Sequence, residues 1–577
     1  MGPVYTTENG CQDCYKCVRH CPVKAIRIVG GKASVIPEAC VACGECVKVC
    51  PSHVKKIRCD LSRLRSLLDS GAKVYASVAP SFARYFKGVS IGRLAAALKA
   101  IGFAGVSETA HGAECVSAHV SKLLEVCPDV PVMISSACPA VVDMIRKYRP
   151  SWIPTISPIP SPVRAHCKLL KEAYGDDVKV VFIGPCAAKK NESDAHPDQL
   201  ALAVIFPAIE QLLEERGVLP ELMETEAELA LGPAEEGRFY SIEGGMNDTI
   251  RDGTDRVRFI SVSGLENLRR LIAEEPPKTK KGRTVFIEAL ACPGGCVNGP
   301  AMTEEVATPL EAIFATDEIA PIRTSATRCF THCGGSNYPA APVPRLDVDA
   351  TMITAALARV GKFTKADELN CGACGYNSCR DFARALLEGK AEEAMCHNFL
   401  RQNFQRTSNA LIRYIPAAVV IVDGTRAITE CNRNFAELVG AVEVYEALGN
   451  LNAILVDEYL ADFGDLFTAA LEHGSEIEKF NQHLGDRIVN ISVFSIAKGK
   501  FAGAVIQDVT KSELHREQIA ERAREIISKN VITVQQVARL FGEHIAESEI
   551  LLNEIAGSYQ SQTKAESHGF MRSGGFN

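Results

Sequence analysis

The 577-residue sequence has no stretch that approaches about 18 uninterrupted apolar residues, the length a membrane-spanning helix needs. It has no surplus of positive charge either. Its 63 Lys and Arg face 70 Asp and Glu, a net of −7, so neither nucleic acid nor an anionic membrane surface is expected as a partner. The opening residues, MGPVYTTENG, lack the basic and apolar regions of an export signal, and no CxxCH haem-attachment motif occurs. These absences lead us to expect a cytoplasmic chain, in a reducing compartment where thiols serve as metal ligands or redox groups rather than disulfides. What the chain does have is cysteine, 23 of them, in a composition that is 47% hydrophobic and 23% charged. That composition is globular, and the length predicts roughly four domains.

Eight cysteines fall in two copies of one pattern, Cys11-x2-Cys14-x2-Cys17-x3-Cys21-Pro22 and Cys40-x2-Cys43-x2-Cys46-x3-Cys50-Pro51. Such runs bind two [4Fe-4S] cubes, the fourth cysteine of each serving the other cube. Cys11, Cys14, Cys17 and Cys50 would then hold one cluster, and Cys40, Cys43, Cys46 and Cys21 the other. The segment resembles a bacterial-type ferredoxin domain. A second motif has Cys371, Cys374 and Cys379, with Cys396 after a stretch, RDFARALLEGKAEEAM, that reads as a helix. It is similar to small four-cysteine iron–sulfur domains, with tetrahedral zinc as the alternative.

Four more cysteines sit in loops rich in Gly and Pro: Cys138 in MISSACPAVVDM, Cys186 in VVFIGPCAAKKNESD, and Cys292 and Cys296 in VFIEALACPGGCVNGPA. Two of these loops follow β-branched runs, the pattern of a buried parallel strand delivering a residue at its carboxyl end. Downstream of a ferredoxin segment they resemble the three signature loops of [FeFe]-hydrogenases. The resemblance implies an H-cluster, a [4Fe-4S] cube joined to a di-iron subcluster with CO, CN and azadithiolate ligands, at which H2 is split heterolytically. It assigns Cys138, Cys186, Cys292 and Cys296 to the cube, with Cys296 bridging to the di-iron unit. Lys189 matches the lysine beside a cyanide ligand, and Glu192 the acid three residues on. Pro185 and the strip Ala79, Pro80 and Ser81 match residues that line the di-iron unit.

Departures are as informative. The family's first loop reads T-S-C-C-P, its first cysteine passing protons, whereas this chain has Ser136-Ala137-Cys138-Pro139. A thiol with pKa near 8.5 transfers protons near neutrality and a methyl group does not, so Ala137 predicts slow turnover. A loose alignment puts His119 and Val120 where the relay's acids belong. Gly184 replaces a methionine, removing a side chain from the pocket, and Asn298-Gly299-Pro300 replaces a triple glycine.

After Cys396 cysteine density falls to Cys431 alone. Residues 411–510, with a strand at Ala418–Val422, a turn at Asp423-Gly424 and Asn432 opening a helix, resemble a PAS domain, used either for sensing a small molecule or for dimerisation. Residues 511–558 carry apolar residues at three- to four-residue intervals, compatible with a two-helix coiled coil, and 559–577 read as a disordered tail.

The expected architecture is multidomain α/β and α+β. It comprises a ferredoxin-like domain (1–60), a two-lobed α/β hydrogenase domain (61–345), a four-cysteine iron–sulfur domain (346–405), a PAS α+β domain (411–510) and a signalling coiled-coil helix (511–558). The expected function is H2 sensing. H2 is split slowly and reversibly, electrons load three accessory [4Fe-4S] clusters, and the PAS domain passes the redox state to a separate kinase or phosphatase. Expected partners are H2 and protons, a ferredoxin-like redox protein, hydrogenase maturation proteins and a second copy of the chain. The rivals are a metabolic hydrogenase using PAS for assembly, and an electron-transfer protein that never receives the di-iron unit. Cys329 and Cys333 form a further pair, either structural or in contact with a metal or redox partner.

Overall fold

The computed structural model describes residues 2–8, 10–127, 129–250, 256–279, 283–302, 307–318, 335–402, 412, 414–448, 450–510, 526–528, 530 and 531. Cys329, Cys333, the tail and nearly all of the expected coiled coil lie outside the described residues. The chain forms two compact units, Met1–His397 and Asn398–Asn577. Among the described residues no helix is long and apolar enough to cross a membrane.

The first unit opens with four short strands: β1 (Val4–Thr6), β2 (Ile26–Val29), β3 (Lys32–Val35) and β4 (Lys55–Ile57). β1 pairs with β4 and β2 with β3, both antiparallel. Ile26 and Ile28 are buried while Arg27 and Val29 are exposed, the two-residue alternation of a strand with one wet face.

Next come two parallel sheets. One holds β5 (Val74–Val78), β6 (Gly105–Glu108), β8 (Lys179–Gly184) and β9 (Leu202–Ile205) in the order β6-β5-β8-β9. The other holds β7 (Val132–Ile134), β10 (Val257–Ser263) and β11 (Thr284–Leu290) in the order β10-β11-β7. Central strands such as β8 read VKVVFIG because helices cover both faces of a parallel sheet, leaving no polar side. Each sheet has its own core. The first gathers Ala76 and Val78 of β5 with Val181 and Leu98, and the second centres on Ile134, Ile287 and Leu268. Each such large aliphatic side chain contributes roughly 1.5–3 kcal/mol on burial.

The 371–396 region departs from the expected helix. The helix runs only from Cys379 to Leu387. Gly389, at φ 65°, turns the chain, and the N–H of Lys390 donates to the carbonyl of Ala385 at 2.8 Å, the glycine-dependent closure of a helix C-terminus. The helix therefore carries Cys379, and a 3-10 turn, Glu393–Met395, delivers Cys396.

The second unit is an antiparallel sheet of β12 (Ala418–Asp423), β13 (Ile428–Cys431), β14 (Ile477–Leu484), β15 (Arg487–Ala497) and β16 (Phe501–Asp508), ordered β13-β12-β16-β15-β14. Helices, including Arg433–Leu438 and Gly464–His473, cover one face through Phe435, Phe467 and Leu471. Ile412 and Ile415 pack on the other face against Val419 and Phe494. Asn432 caps the helix Arg433–Leu438, accepting from the N–H of Phe435 at 2.9 Å, and it also accepts from the N–H of Val419.

Candidate active site

Four loops, each at the carboxyl end of a parallel strand, converge from the two sheets. β5 leads into Ala79-Pro80-Ser81, β7 into Ala137-Cys138, β8 into Pro185-Cys186 and β11 into Cys292–Cys296. This is where ligands bind in open parallel sheets. Cys138, Cys186, Cys292 and Cys296 line one small cavity of about 20 Å³, together with Cys43 of the ferredoxin segment. Local structure aims them. Cys138 stands at the N-cap of the helix Pro139–Tyr148, with Pro139 at its first turn. Cys186 precedes the helix Ala188–Ala195 and accepts from the N–H groups of Ala188 and Lys189. Both helix starts favour negative charge. Gly295, at φ 107°, permits the close turn; a Cβ there would stand 2.5 Å from the carbonyl oxygen of Ser241.

An adjoining cavity of about 90 Å³ shares Cys138, Cys186 and Cys296 and is lined by Ala79, Pro80, Ser81, Ala137, Pro185 and Lys189. Lys189 is 7% exposed, and its Nζ lies 2.6 Å from Oε2 of Glu192 and donates to Ser161 Oγ at 3.0 Å. Glu192 also accepts from Ser161. The carboxylate is thus the counter-charge that a buried ammonium requires. Lys190, which the sequence makes look like a surface neighbour, is fully buried and pairs with Asp60 at 2.7 Å.

Sequence reasoning missed Glu288. It lies in β11, is 2% exposed and lines the larger cavity. Burial pushes its carboxyl up to about 7, against hydrogen bonds from the N–H of Met246 and the hydroxyl of Ser261. Ser261 in turn accepts from Asn247 Nδ2 at 2.8 Å, and both residues are half-buried. The signal was available: a lone acid in an otherwise apolar strand, four residues before Cys292. Two departures also change meaning. The space beside Gly184 is filled, since a Cβ there would stand 2.5 Å from the Phe182 ring and 2.9 Å from Ala79 Cβ. Val120 is buried among apolar side chains and His119 Nδ1 bonds the carbonyl of Cys115. The described lining of the cavity includes neither.

The other cysteines gather in three sets. Cys17 is pushed up to about 11 by burial, with Cys14, Cys11 and Cys50 beside it. Burial, with Cys43, Cys21 and Cys40, raises Cys46. Cys374 rises through burial and the nearby Cys396, Cys371 and Cys379. The central set behaves alike: burial and Cys138 push Cys186 up to about 11, and burial with Cys296 and Cys186 raises Cys292. Among the described residues no three His, Cys, Asp or Glu are arranged for a single metal ion. Clustered buried thiols that raise one another are costly unless a cationic metal group deprotonates and neutralises them, so this donor set fits iron–sulfur clusters. Ser81 Oγ is buried with no hydrogen-bond partner, an orphan facing the larger cavity that a polar guest would satisfy.

Comparison with known proteins agrees in kind. Residues 72–300 match the family model of the iron only hydrogenase large subunit, C-terminal domain. Residues 3–51 match a 4Fe-4S dicluster domain and 367–397 an Fe-S cluster family. The NADP-reducing hydrogenase subunit HndD of Solidesulfovibrio fructosivorans is 23% identical over 359 residues, 50% of this chain and 60% of that protein. A component of an ion-translocating oxidoreductase complex from Methanosarcina acetivorans is 43% identical over 51 residues, 9% of this chain and 19% of that protein. The chain thus spans less than two thirds of either relative. A variant of the [FeFe]-hydrogenase HydA1 from Chlamydomonas reinhardtii is 19% identical, with a TM-score of 0.38, covering 50% of this chain and all of that one. With its hydrogenase H-cluster domain beside iron–sulfur segments, the chain is an [FeFe]-hydrogenase-like iron–sulfur protein.

Proposed function

We propose that this protein is a slow, H2-sensing [FeFe]-hydrogenase of the cytoplasm. The observation that carries the reading is Ala137, a methyl group on the wall of the cavity where a proton-passing thiol would serve fast turnover. Cys138, Cys186, Cys292 and Cys296 would hold the H-cluster, which when bound supplies the heterolysis of H2 and the acceptance of its electrons.

The chain's own residues do the rest. Lys189, held by Glu192 and Ser161, offers a positive charge to an anionic guest, and Ser81 offers its unpaired hydroxyl. Pro80, Pro185 and Phe182 keep water out. Glu288 is the carboxyl best suited to take up or release a proton near neutrality, through its hydroxyl-bonded neighbour Ser261. The three thiol sets outside the cavity would carry electrons in accessory clusters.

The antiparallel five-stranded sheet, helices on one face and the preceding segment on the other, supports the PAS reading of the second unit. Signalling through a separate kinase or phosphatase, a homodimer, dependence on maturation proteins and exchange with a ferredoxin-like protein belong to the same proposal. The relative HndD favours a second reading, a metabolic hydrogenase. Turnover separates the two: fast H2 production with reduced ferredoxin would sink the sensor. Ala137→Cys tests the central point. H2 oxidation should rise by about 10²-fold or more, the worth of a general acid–base step, and an unchanged rate would mean that the missing thiol does not limit turnover. Infrared bands of bound CO and CN after maturation check that the di-iron unit is received.

A further inference from the structure

The chain turns back after the first cysteine run at Lys24, whose backbone lies at φ 51°, a left-handed conformation that residues with a Cβ seldom adopt. Its side chain gives a reason. Nζ donates to the carbonyls of Val18 at 2.9 Å, Arg19 at 3.0 Å and Gly375 at 2.8 Å. All three ammonium protons are thus used, two on the helix of the first cysteine run and one on the loop of the 371–396 motif. The same nitrogen lies 5.9 Å from the ring centre of Tyr376, itself 4% exposed, within cation–π range. Arg19 repeats the bridge, donating to the carbonyls of Cys14 at 2.9 Å and Ala373 at 3.1 Å. Gly375 lets the loops meet, because a Cβ there would stand 2.9 Å from Val18 Cγ1 and 3.1 Å from the Arg19 nitrogen.

The charged and titratable groups facing Lys24 are the thiols of Cys21 and Cys374, with Arg269 and Glu266 from the helix Leu265–Leu271. Arg269 and Glu266 pair with each other at 2.9 Å. The ammonium therefore stands between a thiol of the second ferredoxin set and a thiol of the 371–396 set.

We propose that Lys24 is the positioning residue of an electron branch: it seats the 371–396 motif on the ferredoxin segment, and its fixed charge favours an added electron on that motif's cluster. The inference rests on the reading that these four cysteines hold an iron–sulfur cluster. Oxidation of one H2 supplies two electrons and two protons. The transfer past Lys24 moves one electron, the donor cluster being oxidised and the 371–396 cluster reduced, with no bond formed or broken. A nearby cation stabilises the more negative, reduced state, the more so out of water. The branch ends at Cys396, one residue before the end of the first compact unit at His397, so its redox change falls at the covalent join to the second unit.

The test is a redox titration of the full, cluster-loaded chain followed by electron paramagnetic resonance, with iron and sulfide counted. Cys371→Ser identifies the third cluster's signal by difference. Lys24→Gln should leave iron and signals complete and lower the third cluster's reduced-to-oxidised ratio at fixed potential by at least tenfold, about 59 mV for one electron. Lys24→Arg should stay within about threefold of wild type. Loss of that cluster's iron in Lys24→Gln alone, with Lys24→Arg intact, also supports the positioning role. An unshifted ratio in Lys24→Gln with complete iron, or an equal shift in Lys24→Arg, overturns the proposal. If Cys371→Ser removes no iron, the cluster reading itself fails, a result distinct from an unshifted ratio.

Discussion

Replacing Glu288 by glutamine removes a titratable oxygen from the cavity wall and should leave most of the packing in place. In the folded chain this carboxyl is pushed from its ordinary 4.5 up to about 7 by burial. At pH 7 about half the molecules then carry the proton, against about one in 300 for an unperturbed glutamate. Because the folded chain keeps this proton to about pH 7 and the unfolded chain releases it near 4.5, the folded state binds more protons between those values. Stability therefore falls as pH rises through that window, by about 3 kcal/mol in all. Glu288→Gln abolishes that loss. The functional counterpart is larger, since general acid–base steps are worth about 10²- to 10⁴-fold. The assay is H2 oxidation from pH 5 to 9 at matched iron content. The wild type should show a limb centred near pH 7, and the variant should lose the limb and fall in rate by about 10²-fold or more. A variant with the wild-type rate and the same limb would refute the assignment of Glu288 as the proton-handling group.

Other perturbations probe the frame. Lys190→Met leaves Asp60 buried with Arg58 and Arg63 but without its closest cation; it should cost about 3–5 kcal/mol, read as a lower melting temperature, and Asp60→Asn added to it should recover part. Gly184→Met should not restore a fast enzyme, because the new side chain meets Phe182 and Ala79; the strain is about 1–3 kcal/mol, and Phe182→Ala in the same chain should relieve it in a thermal melt. Asn432→Ala removes a helix cap that also ties down Val419; hydrogen exchange at Phe435 and Val419 should accelerate, by about 1–2 kcal/mol in protection.

How far the sequence could be read depended on whether chemistry was local. The cysteine runs are local, because C-x2-C spacing wraps a cube whatever surrounds it, and the strand-then-loop pattern placed Cys186 and Cys292 at strand ends. The sorting of Cys11, Cys14, Cys17 and Cys50 against Cys21, Cys40, Cys43 and Cys46 followed from pattern alone, and the structure gathers the same sets. Long-range partners were not legible. Lys190 and Asp60 are 130 residues apart, and nothing in Lys-Lys suggests that one ammonium serves the cavity and the other the core. Phe182 occupies the room vacated at Gly184 by turning along its own strand, which residue identity alone does not reveal. The helix after Cys379 read too long because Ala and Glu mask the stop that Gly389 imposes through its positive φ.

The two parallel sheets keep separate cores, and their loops meet round the cavity. Few polar ties span the seam: Arg84 donates to the carbonyl of Val297 at 2.8 Å, and the N–H of Ala301 donates to the carbonyl of Pro185 at 3.1 Å. Parting the lobes breaks such clasps and leaves both cores shut. The protein is thus built like a purse, able to fold first and still admit a bulky prefabricated group afterwards through its seam.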